Sequence, residues 1–169
     1  MTIWTVTASG QFLLDGVQIR AALGRSGTLP DAEKREGDGA TPLGRYAMRH
    51  VYYRADRGEA PPTRLPCRAI RPDDGWCDAP GDAAYNRLVR LPYPASCETL
   101  MRDDCLYDRI VVLGHNDNPP LTGRGSAIFL HCAKETYTPT EGCVALARAD
   151  LDRFLKHIMP GDSLEIIPG

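Results

Sequence analysis

The sequence predicts a mostly β, sandwich-like fold with one main C-terminal helix. Three observations carry this: short apolar runs broken by tight-turn pairs near the start, two strongly apolar runs in the last third, and one stretch with helical spacing close to the end. Ile3, Val6, Phe12, Leu13, Val17 and Ile19 lie in runs broken by Ser9-Gly10 and Asp15-Gly16. An Asp-Gly pair between apolar runs signals a two-residue hairpin, because both residues accept positive φ. Residues 31–40 are polar and read as a loop, and Thr41-Pro42-Leu43-Gly44 reads as a turn feeding a strand over 45–53. Dense proline and glycine from Gly58 to Pro94 imply a long irregular excursion around Trp76, with a short helix after Ser96. Residues 110–113 and 127–132 read as buried strands. Leu151, Phe154, Leu155 and Ile158 follow the i, i+3, i+4, i+7 spacing of an amphipathic helix. Pro160-Gly161 stops it, and Ser163–Ile167 reads as a closing strand.

A length of 169 residues suits one domain, 1–169, with a sizeable core. The composition, 43% hydrophobic and 25% charged, excludes disordered and collagen-like chains. A formal charge of −2 gives no long-range attraction to nucleic acid or anionic membrane, so a substrate must be held by local charges. No apolar run approaches the ~20 residues of a membrane helix. The opening residues 1–7 lack the basic head, apolar middle and cleavage site of an export signal. Six cysteines lean toward an oxidising compartment. Local bridges Cys67–Cys77 and Cys97–Cys105 are expected, leaving Cys132 and Cys143 free. No spacing suits structural zinc, and no metal or cofactor is called for.

The chemistry concentrates between Gly125 and Ala147. His131 ends an apolar strand, where side chains alternate between faces, so it shares a face with Phe129 and Ala127 while Cys132 points the other way. A polar loop leads to Thr140-Glu141-Gly142-Cys143 and then an apolar run. A thiol with a pKa of ~8.5 is only slightly ionised at neutral pH, and an imidazole nearby corrects this by accepting its proton. Gly142 permits close backbone approach, so the Gly142 and Cys143 amides are candidate donors to an oxyanion. Asn116 and Arg124, with His115, are candidates to hold substrate carboxylates, and Thr140 and Glu141 are candidate substrate contacts beside the thiol. Trp76, Tyr85 and Asn86 are candidates to wall a cleft.

This segment resembles the signature of the L,D-transpeptidase catalytic domain, the YkuD-type family. There a histidine ends one strand, and a small hydroxyl residue, a variable residue, glycine and cysteine follow a loop later; here these are His131, Thr140, Glu141, Gly142 and Cys143. Thr41-Pro42-Leu43-Gly44 resembles the family's early Thr-Pro-x-Gly turn. The sequence departs from the family at Glu141, at Cys132 and at Ala145, where arginine or asparagine is usual. These departures are similar to compact proteobacterial members, some of which join the first stem residue to a diaminopimelate. The resemblance implies a periplasmic enzyme that acts on peptidoglycan stem peptides, with a diaminopimelate acceptor, and that carbapenem-type β-lactams acylate. Its nucleophile would be Cys143 and its base His131. Two other readings share these residues: a cell-wall Cys/His carboxypeptidase or endopeptidase, and a non-catalytic wall-binding module stapled through Cys132–Cys143.

Overall fold

A computed structural model describes all 169 residues. The strands in chain order are β1 (Ile3–Thr7), β2 (Gln11–Leu14), β3 (Val17–Ala22), β4 (Thr28–Pro30), β5 (Thr41–Tyr53), β6 (Cys67–Ala69), β7 (Asp74–Cys77), β8 (Leu88–Arg90), β9 (Cys97–Thr99), β10 (Arg109–Leu113), β11 (Phe129–Cys132), β12 (Val144–Leu146) and β13 (Ser163–Ile167). One α-helix, α1 (Arg148–Leu155), sits between β12 and β13. The mostly β reading with one main helix therefore holds.

The hairpin at Asp15-Gly16 forms as its chemistry requires, with φ of 53° and 74° at the two residues and β2 running antiparallel to β3. The two layers are joined by strands that pass from one to the other. Residues 44–47 of β5 pair with β13, and residues 48–53 pair with β10, across a register shift between Val111 and Leu113. Such an irregularity bends a strand and lets it change sheets. At the opposite edge, β3 pairs with β2 through residues 17–20 and with β12 through Ala21 and Ala22. The order β10-β11-β12-β3-β2-β1-β13-β5 thus returns to β10 and leaves the sandwich with closed sides. A separate three-stranded sheet, β8-β7-β9, is built from the Pro/Gly-rich excursion.

Apolar packing follows the period of two. Leu130 and Cys132 of β11 face the main core with Val144, Leu146, Leu151, Phe154, Leu155 and Ile158. Phe129, on the other face, packs with Ala127, Tyr107, Trp76, Ile110 and Cys143 in a second cluster. Trp4, Phe12 and Phe154 form an aromatic knot, with Phe154 edge-on to both others at centroid distances of 4.9 and 5.0 Å.

Several expectations need correction. Residues 41–44 are not a turn but the first part of β5, because β4 and β13 supply partners for their backbone. The segment after Ser96 is β9, recruited as an edge strand by β7. Helix α1 ends at Leu155 because the next turn tightens to i→i−3 bonds, Lys156 to Arg153 and His157 to Phe154, yet Ile158 still reaches the core. All six cysteines are unbridged. Neither expected pairing is placed for a bond: Cys67 lies on β6 against β5, Cys77 faces Cys97 across β7 and β9, and Cys105 lies in the loop before β10. A Cys132–Cys143 staple is equally excluded, since the two thiols belong to opposite clusters.

Phe154→Ala should cost about 3–5 kcal/mol in urea unfolding, because the knot cannot collapse around the missing ring. Leu13, 62% exposed on the same layer, should tolerate alanine within about 0.5 kcal/mol. Equal costs at the two sites would show that the knot is not the core.

Candidate active site

Parallel pairing of β11 with β12 places His131 opposite Ala145, so Cys143, two residues earlier, faces the same side. The two share a cavity of about 570 Å³ whose walls include Glu98, Arg102, Tyr107 and Thr140. The loop carrying the thiol is clipped in place. Thr140 N donates to Leu23 O (2.9 Å), Thr140 O accepts from Arg25 N (2.7 Å), and Thr140 Oγ1 both accepts from Gly142 N (3.1 Å) and donates to Cys143 O (2.6 Å). Thr41 supports the same segment by accepting from Gly24 N at 2.8 Å. Gly142 sits at φ 139°, and a Cβ there would lie 2.9 Å from Ala40 O. No side chain fits.

Cys143 is 8% exposed and His131 4%. The thiol donates to Ala127 O (3.2 Å), and its sulfur accepts from Phe129 N (3.4 Å). No hydrogen bond joins it directly to His131. Ala127 holds a left-handed conformation, φ 53°, that a non-glycine residue keeps only when its surroundings fix it. Asn86 supplies that constraint: its Oδ1 accepts from Ala127 N (3.0 Å) and Trp76 Nε1 (3.0 Å), and its Nδ2 donates to the carbonyls of His115 and Asn116. Asn86 and Trp76 thus brace the site from behind, while Tyr85 holds the same loop by accepting from Gly125 N and donating to Glu36.

His131 Nδ1 lies 2.8 Å from Cys132 O. A carbonyl only accepts, so Nδ1 carries the proton and Nε2 presents a lone pair in the neutral ring. Burial lowers the imidazole to about 4, with the Cys132 carbonyl opposing the shift. Burial, with the Glu98 charge adding to it, raises the Cys143 thiol to about 12. The resting pair is therefore neutral thiol and neutral imidazole. Tyr107 stands edge-on to His131 at 5.4 Å, donates its hydroxyl to Glu98, and lies under Arg102 at 5.1 Å. Glu98 is held above the usual carboxylate range, by burial first. Neither Tyr107 nor Glu98 stands out in the sequence, because the segment that carries them has no motif.

The other candidate residues divide. Thr140 and Glu141 line the cavity, but the hydroxyl of Thr140 is committed to its own loop and Glu141 pairs with Arg25 at 2.9 Å on the exposed rim. Of the two oxyanion candidates, the Gly142 amide is taken by Thr140 Oγ1, leaving the Cys143 amide as the open donor. His115, Asn116 and Arg124 are not brought to the thiol. They line a separate cavity of about 90 Å³. There Asn116 is consumed within its loop by Leu121 and Gly125, and His115 Nε2 lies 3.2 Å from Asp31.

The buried neutral imidazole has a consequence for stability. Below its ordinary value of 6.5 the unfolded chain takes up a proton that the folded chain refuses until about pH 4. The free energy of unfolding should therefore fall as pH drops across that window, by on the order of 3 kcal/mol from this group. His131→Gln should flatten that part of a urea-unfolding series against pH. An unchanged slope would show that the ring is not buried in its neutral form.

A family model of the L,D-transpeptidase catalytic domain (YkuD) matches residues 3–166. No curated protein matches the chain. Among solved structures, Mycobacterium tuberculosis L,D-transpeptidase 1 aligns over 98% of this chain at 14% identity with a TM-score of 0.42; the chain spans 60% of that chain's length. With the family model covering almost its whole length, and with the histidine and cysteine of the motif lining one cavity, the chain belongs to the L,D-transpeptidase catalytic domain (YkuD) family.

Proposed function

We propose that the protein cross-links peptidoglycan stem peptides through a thioester on Cys143. The observation that carries this reading is the placement of the Cys143 thiol and the bare Nε2 of His131 on one cavity wall, with Nδ1 anchored to a backbone carbonyl. A stem peptide entering the cavity excludes water and lets the thiol leave the Ala127 carbonyl. His131 takes the thiol proton as sulfur attacks the peptide carbonyl. Proton transfer during attack suits a pair whose pKa values, about 12 and about 4, disfavour a resting ion pair. The free Cys143 amide donates to the developing oxyanion. The imidazolium then protonates the departing amine and leaves a thioester.

In the second half, the side-chain amine of a diaminopimelate on a neighbouring stem attacks the thioester. His131 accepts its proton and returns it to sulfur. Water in place of the amine gives the hydrolytic outcome with the same groups. Carbapenem-type β-lactams offer a strained carbonyl to the same thiol, and the place of action in this reading is the periplasmic side of the cell envelope.

Mass spectrometry of purified muropeptides after incubation tests the reading. The wild type should produce cross-linked dimers, Cys143→Ala none, and His131→Ala at least about 100-fold fewer, the usual scale of a lost general base. Cys132→Ala, altered on the opposite face, should keep its activity. The dimers also report the linkage: a bond from the first stem residue to diaminopimelate would agree with Glu141 and Ala145 marking the compact branch. Turnover persisting in Cys143→Ala would end the assignment.

A further inference from the structure

Outside the catalytic pair, one arrangement of reactive groups stands out on the cavity wall. Cys77 of β7 and Cys97 of β9 are direct cross-strand partners. The backbone bonds Asp78 N to Ser96 O and Leu100 N to Asp74 O fix the alternation along this antiparallel pair. Positions 74, 76 and 78 are hydrogen-bonded sites toward β9, so position 77 is a non-hydrogen-bonded one. The other edge agrees, since Cys77 spends its amide on Arg87 O (2.9 Å) and its carbonyl on Asn86 N (2.8 Å), both on the β8 side. Directly opposed residues at such a site stand about 4.5 Å apart at Cα with side chains on one face, inside the range a disulfide spans.

We infer that Cys77 and Cys97 form an oxidisable dithiol that closes to a disulfide across β7 and β9. Access favours an ordered reaction. Cys97 lines the catalytic cavity, while Cys77 is fully buried behind it. A small-molecule disulfide is the oxidant. The Cys97 thiolate attacks one of its sulfurs and expels a thiolate, which gains the proton that Cys97 lost. The Cys77 sulfur, deprotonated in turn, attacks Cys97 and expels the second thiol. The protein loses two hydrogens and two electrons, and the oxidant leaves as two thiols. Burial and the neighbouring Cys77 thiol hold Cys97 at about 11, so closure should quicken with rising pH.

The bridge would matter to the cavity because β9 is an edge strand whose one strand partner is β7. Its next residue, Glu98, is the acceptor for Tyr107 beside His131. A bond at Cys97 fixes the strand that carries this wall. The inference rests on strand register and burial, so it stands apart from the proposed reaction.

Peptide mapping of the whole protein tests it, because cleavage after arginine and lysine puts each of the six cysteines on its own peptide. After exposure to oxidised glutathione at about pH 8.5, chosen near the free-thiol pKa, and alkylation of remaining thiols, peptides 69–87 and 91–102 should be joined. Amide exchange over residues 97–99 should slow in the oxidised protein. In Cys77→Ser, Cys97 should instead retain the glutathione. An alkylated Cys77 in the oxidised wild type, a glutathione adduct persisting on Cys97 there, or either cysteine bridged elsewhere would overturn the inference.

Discussion

Strand β11 is buried on both faces, and the site depends on that constraint. A strand with one wet face would need polar residues at alternate positions; here Phe129 and His131 on one side are as inaccessible as Leu130 and Cys132 on the other. One face seals the main core, and the other forms the floor of the cavity. Parallel pairing with β12 then leaves no freedom in where Cys143 falls. A slip of one residue would turn the histidine into the core and Cys132 into the cavity, exchanging the two roles.

The same burial sets the chemistry. It raises the thiol and lowers the imidazole, so the resting site carries no charge on either reacting group. The cavity wall adds ionisable groups, among them Glu98 and Arg102, which Tyr107 links to the imidazole through a ring edge and a hydroxyl. In the proposed reaction, two neutral groups suit a path in which the proton moves only as the bond to sulfur forms. The Ala127 carbonyl accepts the thiol hydrogen in this resting arrangement.

The irregular excursion between β6 and β10 acts as the site's buttress. Its small sheet brings Trp76 and Asn86 behind Ala127 and Glu98 in front of Tyr107. A residue held at positive φ without being glycine is costly, and here two such residues, Asn86 and Ala127, are joined by a hydrogen bond. The excursion also sets Cys77 against Cys97, a pairing that local spacing would never suggest, because the chain between them makes a complete hairpin through β8 before returning.

Much of this molecule was legible in its sequence. Alternation at 129–132, the Asp15-Gly16 hairpin, the spacing of Leu151 to Ile158 and the Thr140–Cys143 motif are local signals, each written within a few residues. They give the β-rich class and the helix, and they single out Cys143 and His131 as the candidate pair that one cavity brings together. Asn86 and Trp76 could be named as cleft residues but not given a task. What the tertiary structure decided is everything that needs two distant segments. It turned residues 41–44 from a turn into strand by supplying partners, and moved His115, Asn116 and Arg124 to a cavity of their own. It withdrew the Gly142 amide by giving it Thr140 as acceptor, and it brought Tyr107, Glu98 and the Ala127 carbonyl to the thiol. The physical reason is common to all of these. A hydrogen bond or a buried face is specified by both of its partners, and a sequence read locally contains only one of them at a time.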